Sequence, residues 1–258
     1  VYKGLSLGSG KITKKEMKGI PHHMLDVVNP KKTYSVHDFQ KGAIKAIDKI
    51  LQKGKVPIVC GGTGFYIDSI VKGTILPEVK PDQVLRGKLE GANKEELFKT
   101  LKKLDPKRAK EIDPDNKVRL IRAIEIATAL GKVPRIKTNP KYNTLQIGVL
   151  FDTEILRERI NLRLQKRLKM GMIKEVENLH KNGLSWKRLE ELGLEYRYIA
   201  LYLQKKLTKE QMVTELQNKI YQYAKRQITW FKRDKNIVWV EKPEIEKTKN
   251  LIEEFLAN

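Results

Sequence analysis

The sequence predicts an α/β core that is interrupted by a small all-helical insertion. An apolar run at 56–60 ends in glycines and has a helical pattern on either side. Strand patterns then disappear until an alternating apolar segment begins at Thr144. Helices that alternate with strands are typical of a parallel sheet covered by helices. We therefore assign 1–76 and 141–258 to the core and 77–140 to the insertion.

The first part of the core combines a loop-rich segment, two helices and one strand. Residues 1–30 lack a regular pattern, and a helix is predicted over 35–54. Val56–Cys60 is a short apolar run that ends at the glycine turn Gly61–Gly64, which predicts a buried parallel strand feeding a tight turn. A second helix is predicted over Phe65–Val71.

Helical patterns dominate the remainder of the chain. The insertion is predicted to hold helices at 82–90, 94–104 and 116–131. A strand at 144–151 returns the chain to the core, and a long basic helix follows it. The apolar stripe of that helix is Leu156, Ile160, Leu164, Leu168 and Met172. The last predicted elements are a helix at 209–232, a strand at 237–240 and a helix at 243–257.

The charge of the chain points to a polyanionic partner. The formal net charge is +22, from 53 Lys and Arg against 31 Asp and Glu. Such an excess costs self-repulsion, so nucleic acid is the first candidate partner and an anionic membrane surface the second; a Lys-rich genome is the simple alternative. No stretch approaches the roughly 20 apolar residues of a membrane helix. Of the candidate partners, we expect nucleic acid and not a membrane. The single cysteine, Cys60, fits a reducing cytoplasm.

The glycine turn is the first candidate binding feature. Glycines at the end of a strand let a ligand approach the backbone closely, and the hydroxyl of Thr63 can bond a phosphate oxygen. Gly62 and Thr63 are therefore candidate phosphate contacts, although such a turn is equally well explained by a purely structural role. His22 and His23 have no further ligands at metal-binding spacing, so no metal site is predicted.

Two pairs of arginines are candidate anion contacts. Arg119 and Arg122 share one face of a helix, and two fixed guanidinium groups suit phosphate or a base edge. Arg159 and Arg163 lie one turn apart on the long basic helix and could clamp a diphosphate. Each pair could equally be solvated surface charge.

The segment Tyr221–Arg233 mixes aromatic and cationic side chains. Such a mixture offers stacking surfaces and phosphate contacts, which suits unpaired or loop RNA. Tyr223, Trp230 and Phe231 could instead form the core face of the helix.

Six blocks of residues follow one another in a recognisable order. They are Val1–Leu5 with Gly8 and Lys11, Pro21–Asp26, Val59–Ile67, Asp105–Pro106 through Arg119–Glu125, Glu158–Asn161 with Arg163 and Gly171, and Ala224–Phe231. This order resembles the bacterial form of the tRNA dimethylallyltransferase family. The match runs over nearly the whole chain, and the last block is the most specific.

The resemblance implies a P-loop-NTPase-like parallel sheet core with a helical insertion that contacts tRNA. It also implies an enzyme that transfers a dimethylallyl group from dimethylallyl diphosphate to N6 of adenosine at position 37 of tRNA, beside the anticodon, with Mg²⁺. The target base would be flipped out of the anticodon loop into a channel, as in other enzymes that act on a base. We expect a cytoplasmic monomer.

The resemblance also assigns site residues. Gly62, Thr63 and Arg163 would contact the diphosphate or line the channel. The tRNA would contact Arg86, Val118, Arg119, Leu120, Ile121, Arg122, Arg226 and Gln227.

Two family features would lie upstream of Val1: the phosphate loop with its strand, and the Asp that acts as general base. We therefore expect a truncated chain without a catalytic base that binds tRNA better than it catalyses. Gly8–Lys11 resembles such a loop only superficially because no strand precedes it, and Arg167 replaces the family's usual Met. The alternatives are a non-catalytic basic RNA-binding fragment and a prenyltransferase of free adenine nucleotides; the charge and the insertion disfavour the second.

Overall fold

The structure, a computed structural model, describes residues 1–241 and 244–257. The chain forms two compact units, Val1–Val71 with Tyr142–Asn258 and Lys72–Lys141. The smaller unit covers the stretch for which a helical insertion was predicted but begins at Lys72 rather than at 77. Within the described residues, no helix is both long and apolar enough to cross a membrane.

The elements alternate between the two units along the chain. The larger unit begins with α1 (Val36–Leu51) and α2 (Gly64–Val71). The smaller unit contains β1 (Thr74–Ile75), α3 (Gln83–Glu90), α4 (Lys94–Leu104), α5 (Pro106–Glu111), α6 (Lys117–Leu130) and β2 (Lys137–Thr138). The larger unit then resumes with β3 (Gln146–Leu150), α7 (Thr153–Lys169), α8 (Met172–Lys181), α9 (Trp186–Glu191), α10 (Leu194–Leu203), α11 (Lys209–Phe231), β4 (Ile237–Glu241) and α12 (Ile245–Ala257).

Reciprocal capping bonds fix where several helices begin. At α1, α4 and α11, the side chain before the helix accepts from the backbone N–H three residues on, and the side chain at that position accepts in return. Each such pair satisfies two N–H groups that the helix leaves unpaired. The capping pairs are Ser35 with Asp38, Asn93 with Glu96, and Thr208 with Gln211.

The two strands of the larger unit form a parallel pair. Their register runs from Gln146 opposite Ile237 to Leu150 opposite Glu241. The strands predicted at 144–151 and 237–240 are therefore confirmed, and the architecture is α/β. A parallel connection needs a long crossover, which α7 to α11 provide.

The predicted buried strand at Val56–Cys60 is wrong. The segment is irregular, and the side chains of Val56, Ile58 and Val59 are 55%, 83% and 43% exposed. Ladder hydrogen bonds require a neighbouring strand, and no strand in residues 1–241 and 244–257 pairs with this segment. An apolar pattern measures a preference for extended structure, whereas the partner decides whether a strand forms.

The smaller unit is mainly, but not entirely, helical. Its two ends meet in a short antiparallel pair, with Thr74 opposite Thr138. Strands of two residues leave no periodic pattern in a sequence, so the all-helical prediction missed them. It also missed α5, because an Asp-Pro pair commonly interrupts a helix. Instead Asp105 caps this helix and Pro106 occupies its first turn, where proline is tolerated.

The long basic helix is shorter than its apolar stripe predicted. α7 ends at Lys169, and Gly171 adopts φ +97°, a conformation that favours glycine. Met172 therefore opens α8, where it is fully buried. The helices α8, α9 and α10, which were not predicted, pack with α7 and α11 around the largest apolar core. That core includes Leu164, Val176, Leu189, Ile199, Met212 and Leu216.

Residue 243, with which the last predicted helix began, lies outside the described residues.

The smaller unit has its own apolar core, formed by α4, α5 and α6 around Leu97, Leu101, Leu120 and Ile124.

Candidate functional site

The glycine turn is packed against α11 at two of its glycines. The side-chain amide of Gln227 donates to the carbonyl oxygen of Gly62 over 2.9 Å. A Cβ on Gly62 would collide with the Gln227 side chain, and one on Gly64 would collide with the indole of Trp230. The indole N–H of Trp230 in turn donates to Asp68 on α2 over 3.1 Å. These glycines are therefore required by close packing of α11, the structural role that the sequence left open.

The remaining residues of the turn stay accessible. Gly61 is exposed, with no heavy atom near the position of a Cβ. Thr63 is exposed and lies immediately before α2, and its carbonyl oxygen accepts from Tyr66 and Ile67 over 2.9 and 3.1 Å. Its hydroxyl makes no hydrogen bond within the part of the chain that the structure describes. An exposed hydroxyl at a helix N-terminus, where backbone N–H groups are unpaired, is chemically suited to a phosphate oxygen.

Helices α7 and α11 run antiparallel along one flank of the larger unit. The guanidinium of Arg157 stacks over the ring of Tyr221 at 4.4 Å, and Gln217 donates to Asn161 over 2.6 Å. Residues further along α7 thus meet residues earlier on α11. Gln217 and Gln227 are separated by roughly 15 Å along the helix axis, at 1.5 Å per residue.

This packing separates the predicted site residues into two groups. Gly62, Thr63, Arg226 and Gln227 come together at one end of α11, where Arg226 is exposed and lies 5.9 Å from the Tyr223 ring. Arg163 is exposed on α7, beyond the Asn161 contact and so further along α7 from the end of α11 that meets the glycine turn. A ligand that used both Thr63 and Arg163 would have to span the distance between them.

Arg163 lies beside a second, half-buried arginine. Arg167 sits one turn along α7, 3.9 Å from a carboxylate oxygen of Glu195. Burial, followed by the charge of Arg163, lowers the pKa of Arg167, and burial raises the pKa of Glu195. Arg167 also lies against Gly10, whose φ of +65° favours glycine. The cation that departs from the family pattern is thus paired with a half-buried carboxylate.

The loop containing Gly8–Lys11 binds a carboxylate from elsewhere in the same unit. Glu175 of α8 accepts the backbone N–H groups of Ser6, Leu7 and Gly8 over 3.2, 2.7 and 3.1 Å, and the hydroxyl of Tyr196 over 2.9 Å. Lys11 is held by Asp26 at 2.5 Å. The N–H groups of Gly10 and Lys11 donate to the carbonyl oxygens of Leu7 and Ser6. The N–H groups of Gly8, Gly10 and Lys11 are thus occupied by the protein itself, which agrees with the view that this is no phosphate loop.

In the smaller unit, two predicted tRNA contacts share one buried carboxylate. Glu125 is 2% exposed. It accepts two bonds from Arg86, over 2.7 and 2.8 Å, one from Arg122 over 3.3 Å, and one from the backbone N–H of Asp82 over 2.9 Å. Arg122 also donates to the carbonyl of Val79 over 2.7 Å. Burial opposes ionisation of Glu125, but these donors prevail and lower its pKa.

The other predicted contacts on α6 divide between surface and core. Val118 is 78% exposed and Arg119 is exposed, so both can meet a ligand. Leu120 and Ile121 are 0% and 9% exposed. Their side chains pack in the core of the smaller unit and are not available to tRNA.

The sequence predicts no metal site formed by protein side chains. Within the described residues, no group of three or more His, Cys, Asp or Glu side chains could hold a metal ion. His22 is exposed and contacts the carbonyl of Ile20 over 2.8 Å.

Sequence reasoning missed the two carboxylates that organise these regions. Glu125 could have been found from its position between Ile124 and Ile126, where a charged residue inside an apolar helix segment needs partners. Glu175 leaves no comparable signal, because it bonds a loop that is distant in sequence.

Three comparisons bear on this arrangement. A sequence model of the IPP transferase family matches residues 1–234. The chain is 45% identical to tRNA dimethylallyltransferase 2 of Treponema denticola, covering 93% of this chain and 84% of that protein. It is 38% identical to tRNA dimethylallyltransferase of Acetivibrio thermocellus, covering 98% and 84%. The crystal structure of full-length tRNA isopentenylpyrophosphate transferase from Bacillus halodurans matches with a TM-score of 0.70 at 32% identity, covering 99% and 82%.

Proposed function

Since the chain belongs to the IPP transferase family, we propose that it transfers a dimethylallyl group from dimethylallyl diphosphate to tRNA. The observation that carries this function is the continuous family match over residues 1–234, which includes the glycine turn, the smaller unit, α7 and α11. The finer assignment is that the acceptor is N6 of adenosine 37. The core is proposed to be P-loop-NTPase-like, a proposal supported by the parallel β3–β4 pair and by the glycine turn that precedes α2.

The proposed reaction is a nucleophilic substitution at the first carbon of the prenyl chain. The N6 lone pair forms the new C–N bond, and the bond from that carbon to the diphosphate oxygen breaks, with the electron pair leaving on the diphosphate. N6 then loses one proton to a base. The family resemblance expects an Asp to act as this base, and none of the residues named above is assigned to the role.

The chain's own groups are suited to hold the leaving group. Thr63 offers a hydroxyl at the N-terminus of α2, and the exposed Arg163 offers a guanidinium for charge that develops on the diphosphate. Among the described residues, no group of side chains forms a cage for Mg²⁺. Mg²⁺ commonly binds proteins through substrate phosphates and retains several waters, which is compatible with delivery on the diphosphate.

The tRNA is proposed to contact both units. Arg226 and Gln227 lie beside the glycine turn, where the target adenine is proposed to bind. In the smaller unit, the proposed tRNA surface consists of Arg86, Val118, Arg119 and Arg122. A net charge of +22 favours such a polyanion. The protein is proposed to act as a monomer and in the cytoplasm, where a reducing environment would keep the exposed thiol of Cys60 reduced.

A transfer assay tests this function. The chain is incubated with dimethylallyl diphosphate, Mg²⁺ and unmodified tRNA, and the digested tRNA is searched by mass for N6-isopentenyladenosine. A parallel reaction offers adenosine monophosphate as the acceptor. Product on tRNA alone supports the proposal, and product on the nucleotide alone refutes it. Bound tRNA without product identifies an RNA-binding fragment, and absence of both binding and product refutes both readings.

A further inference from the structure

The buried ion-pair network of the smaller unit suggests a residue that acts on tRNA without touching it. We propose that Glu125 is a positioning residue that holds Arg86 and Arg122 as one cationic pair for a tRNA phosphate. This inference rests on the proposed function, because it assumes that these arginines meet tRNA.

The geometry fixes the two guanidinium groups relative to each other. Nη2 of Arg86 and Nη1 of Arg122 bond the same oxygen, Oε2 of Glu125, over 2.8 and 3.3 Å. The two nitrogens therefore lie no more than about 6 Å apart, within the normal range of bonds to one acceptor. Arg86 is held at two nitrogens, and the Val79 carbonyl holds Arg122 at its other terminal nitrogen. Neither planar group is left free to rotate.

The same arginines remain partly accessible. Their side chains are 31% and 33% exposed, whereas that of Glu125 is 1% exposed. Within the described residues, Nη1 of Arg86 and Nε of Arg122 make no hydrogen bond to the protein. Two positive groups share one negative charge, so the network keeps a surplus positive charge at the surface while its carboxylate is shielded. Fixed guanidinium groups of this kind suit a phosphate, because little side-chain freedom is lost on binding.

A purely structural carboxylate and a positioning carboxylate predict different results for Glu125→Gln. The substitution keeps the size of the side chain but removes a negative charge. Simple electrostatics then predicts tighter tRNA binding, since the protein becomes more positive. Positioning predicts the opposite sign, because a glutamine amide has one acceptor oxygen instead of two, and its NH₂ group would face the N–H donors that the second oxygen of Glu125 now accepts.

The test measures the dissociation constant of the full chain and unmodified tRNA over a series of salt concentrations. We expect Glu125→Gln to weaken binding roughly tenfold and to lower the slope of log affinity against log salt by about 1, since phosphate contacts release counterions. Leu101→Ala is the matched control. Leu101 is a fully buried core residue of the same unit, and its side chain takes no part in the hydrogen bonds of either arginine. It should lower thermal stability without changing the salt slope.

Two further variants keep the proposal testable if Glu125→Gln fails to fold. Arg122→Lys keeps the charge but loses the planar group, and should weaken binding severalfold. In a chain carrying Arg86→Ala and Arg122→Ala, Glu125→Gln should no longer weaken binding. The proposal is overturned if Glu125→Gln binds as tightly as the unchanged chain, or if Leu101→Ala reproduces its loss and its slope. If the unchanged chain does not bind tRNA at all, the proposed function fails instead.

Discussion

Substitution of the three glycines of the turn by alanine separates packing against α11 from every other role of the turn. Gly61, Gly62 and Gly64 lie within four residues, and each variant adds one methyl group. At Gly61 the methyl meets open space, at Gly62 it meets the flexible Gln227 side chain, and at Gly64 it meets the rigid indole of Trp230. Stability should therefore decrease in that order.

The magnitudes follow from what each methyl group displaces. An alanine Cβ at Gly64 would lie 2.7 Å from Cγ of Trp230, with two other indole atoms closer. Overpacking of this kind costs about 1–3 kcal/mol. Displacing the indole also weakens its bond to Asp68, for about 1 kcal/mol more. The better helix propensity of alanine returns at most about 1 kcal/mol. We expect a net loss of roughly 1–3 kcal/mol.

The neighbouring variants calibrate this value. Gly62→Ala should cost about 1 kcal/mol, the net value of the hydrogen bond from Gln227 that it disturbs. Gly61→Ala should lie within about 0.5 kcal/mol of the unchanged chain, as surface substitutions usually do.

Urea denaturation followed by tryptophan fluorescence is a suitable assay, because Trp186, Trp230 and Trp239 all lie in the larger unit. Near the melting temperature, the Gly64→Ala loss corresponds to a shift of roughly 2–12 °C for a domain of this size. Equal stability of the Gly61→Ala and Gly64→Ala chains would refute the packing explanation for these glycines.

Three other expectations concern the carboxylates and the basic helix. Glu175→Gln should destabilise the larger unit by about 2–3 kcal/mol in urea denaturation, since charge-assisted bonds to three N–H groups are weakened; an unchanged midpoint would contradict this. Arg163→Ala should reduce prenyl transfer about 100-fold without loss of stability, while Arg159→Ala, which removes the same charge one turn away, should stay within about tenfold; equal losses would indicate a two-arginine clamp. Hydrogen bonds from the backbone N–H groups of Arg108 and Val133 lower the pKa of Asp105, and the pKa of Glu125 is lowered as well. Each carboxylate therefore stabilises the fold at pH values above its unfolded pKa of about 4, and this contribution is lost as pH falls through the lower folded pKa. In circular dichroism melts, the melting temperature of Glu125→Gln should therefore fall less steeply on acidification than that of the unchanged chain.

Elements whose signals are local were predictable from the sequence. The helices α1, α4 and α11 begin where their capping residues stand, and β3 shows the alternation of a strand. In each case the interactions that fix the element lie within a few residues of it. The family resemblance, which depends on the order of several such blocks, is confirmed by the match over residues 1–234.

Features that depend on distant partners were not predictable in this way. The exposed segment Val56–Cys60 has the composition of a buried strand, yet its partner determines its state. Arg86 and Arg122 look like free surface cations in the sequence, yet both bond Glu125. The separation of Thr63 from Arg163 likewise depends on how α7 and α11 pack, which no local pattern encodes.

Helix α11 connects these distant features by acting as a fixed spacer. Near its end, Gln227 and Trp230 hold the glycine turn, and ten residues earlier Gln217 holds Asn161 on α7. A helix has a constant rise per residue. The distance along α11 between Thr63 and the arginines of α7 is therefore set by the number of residues between Gln217 and Gln227. Between these two contacts, the stack of Arg157 on Tyr221 adds a further link between α11 and α7. The aromatic and cationic residues of α11 therefore need not be either core or ligand surface: some anchor the spacer, and Arg226 and Tyr223 remain on its exposed face.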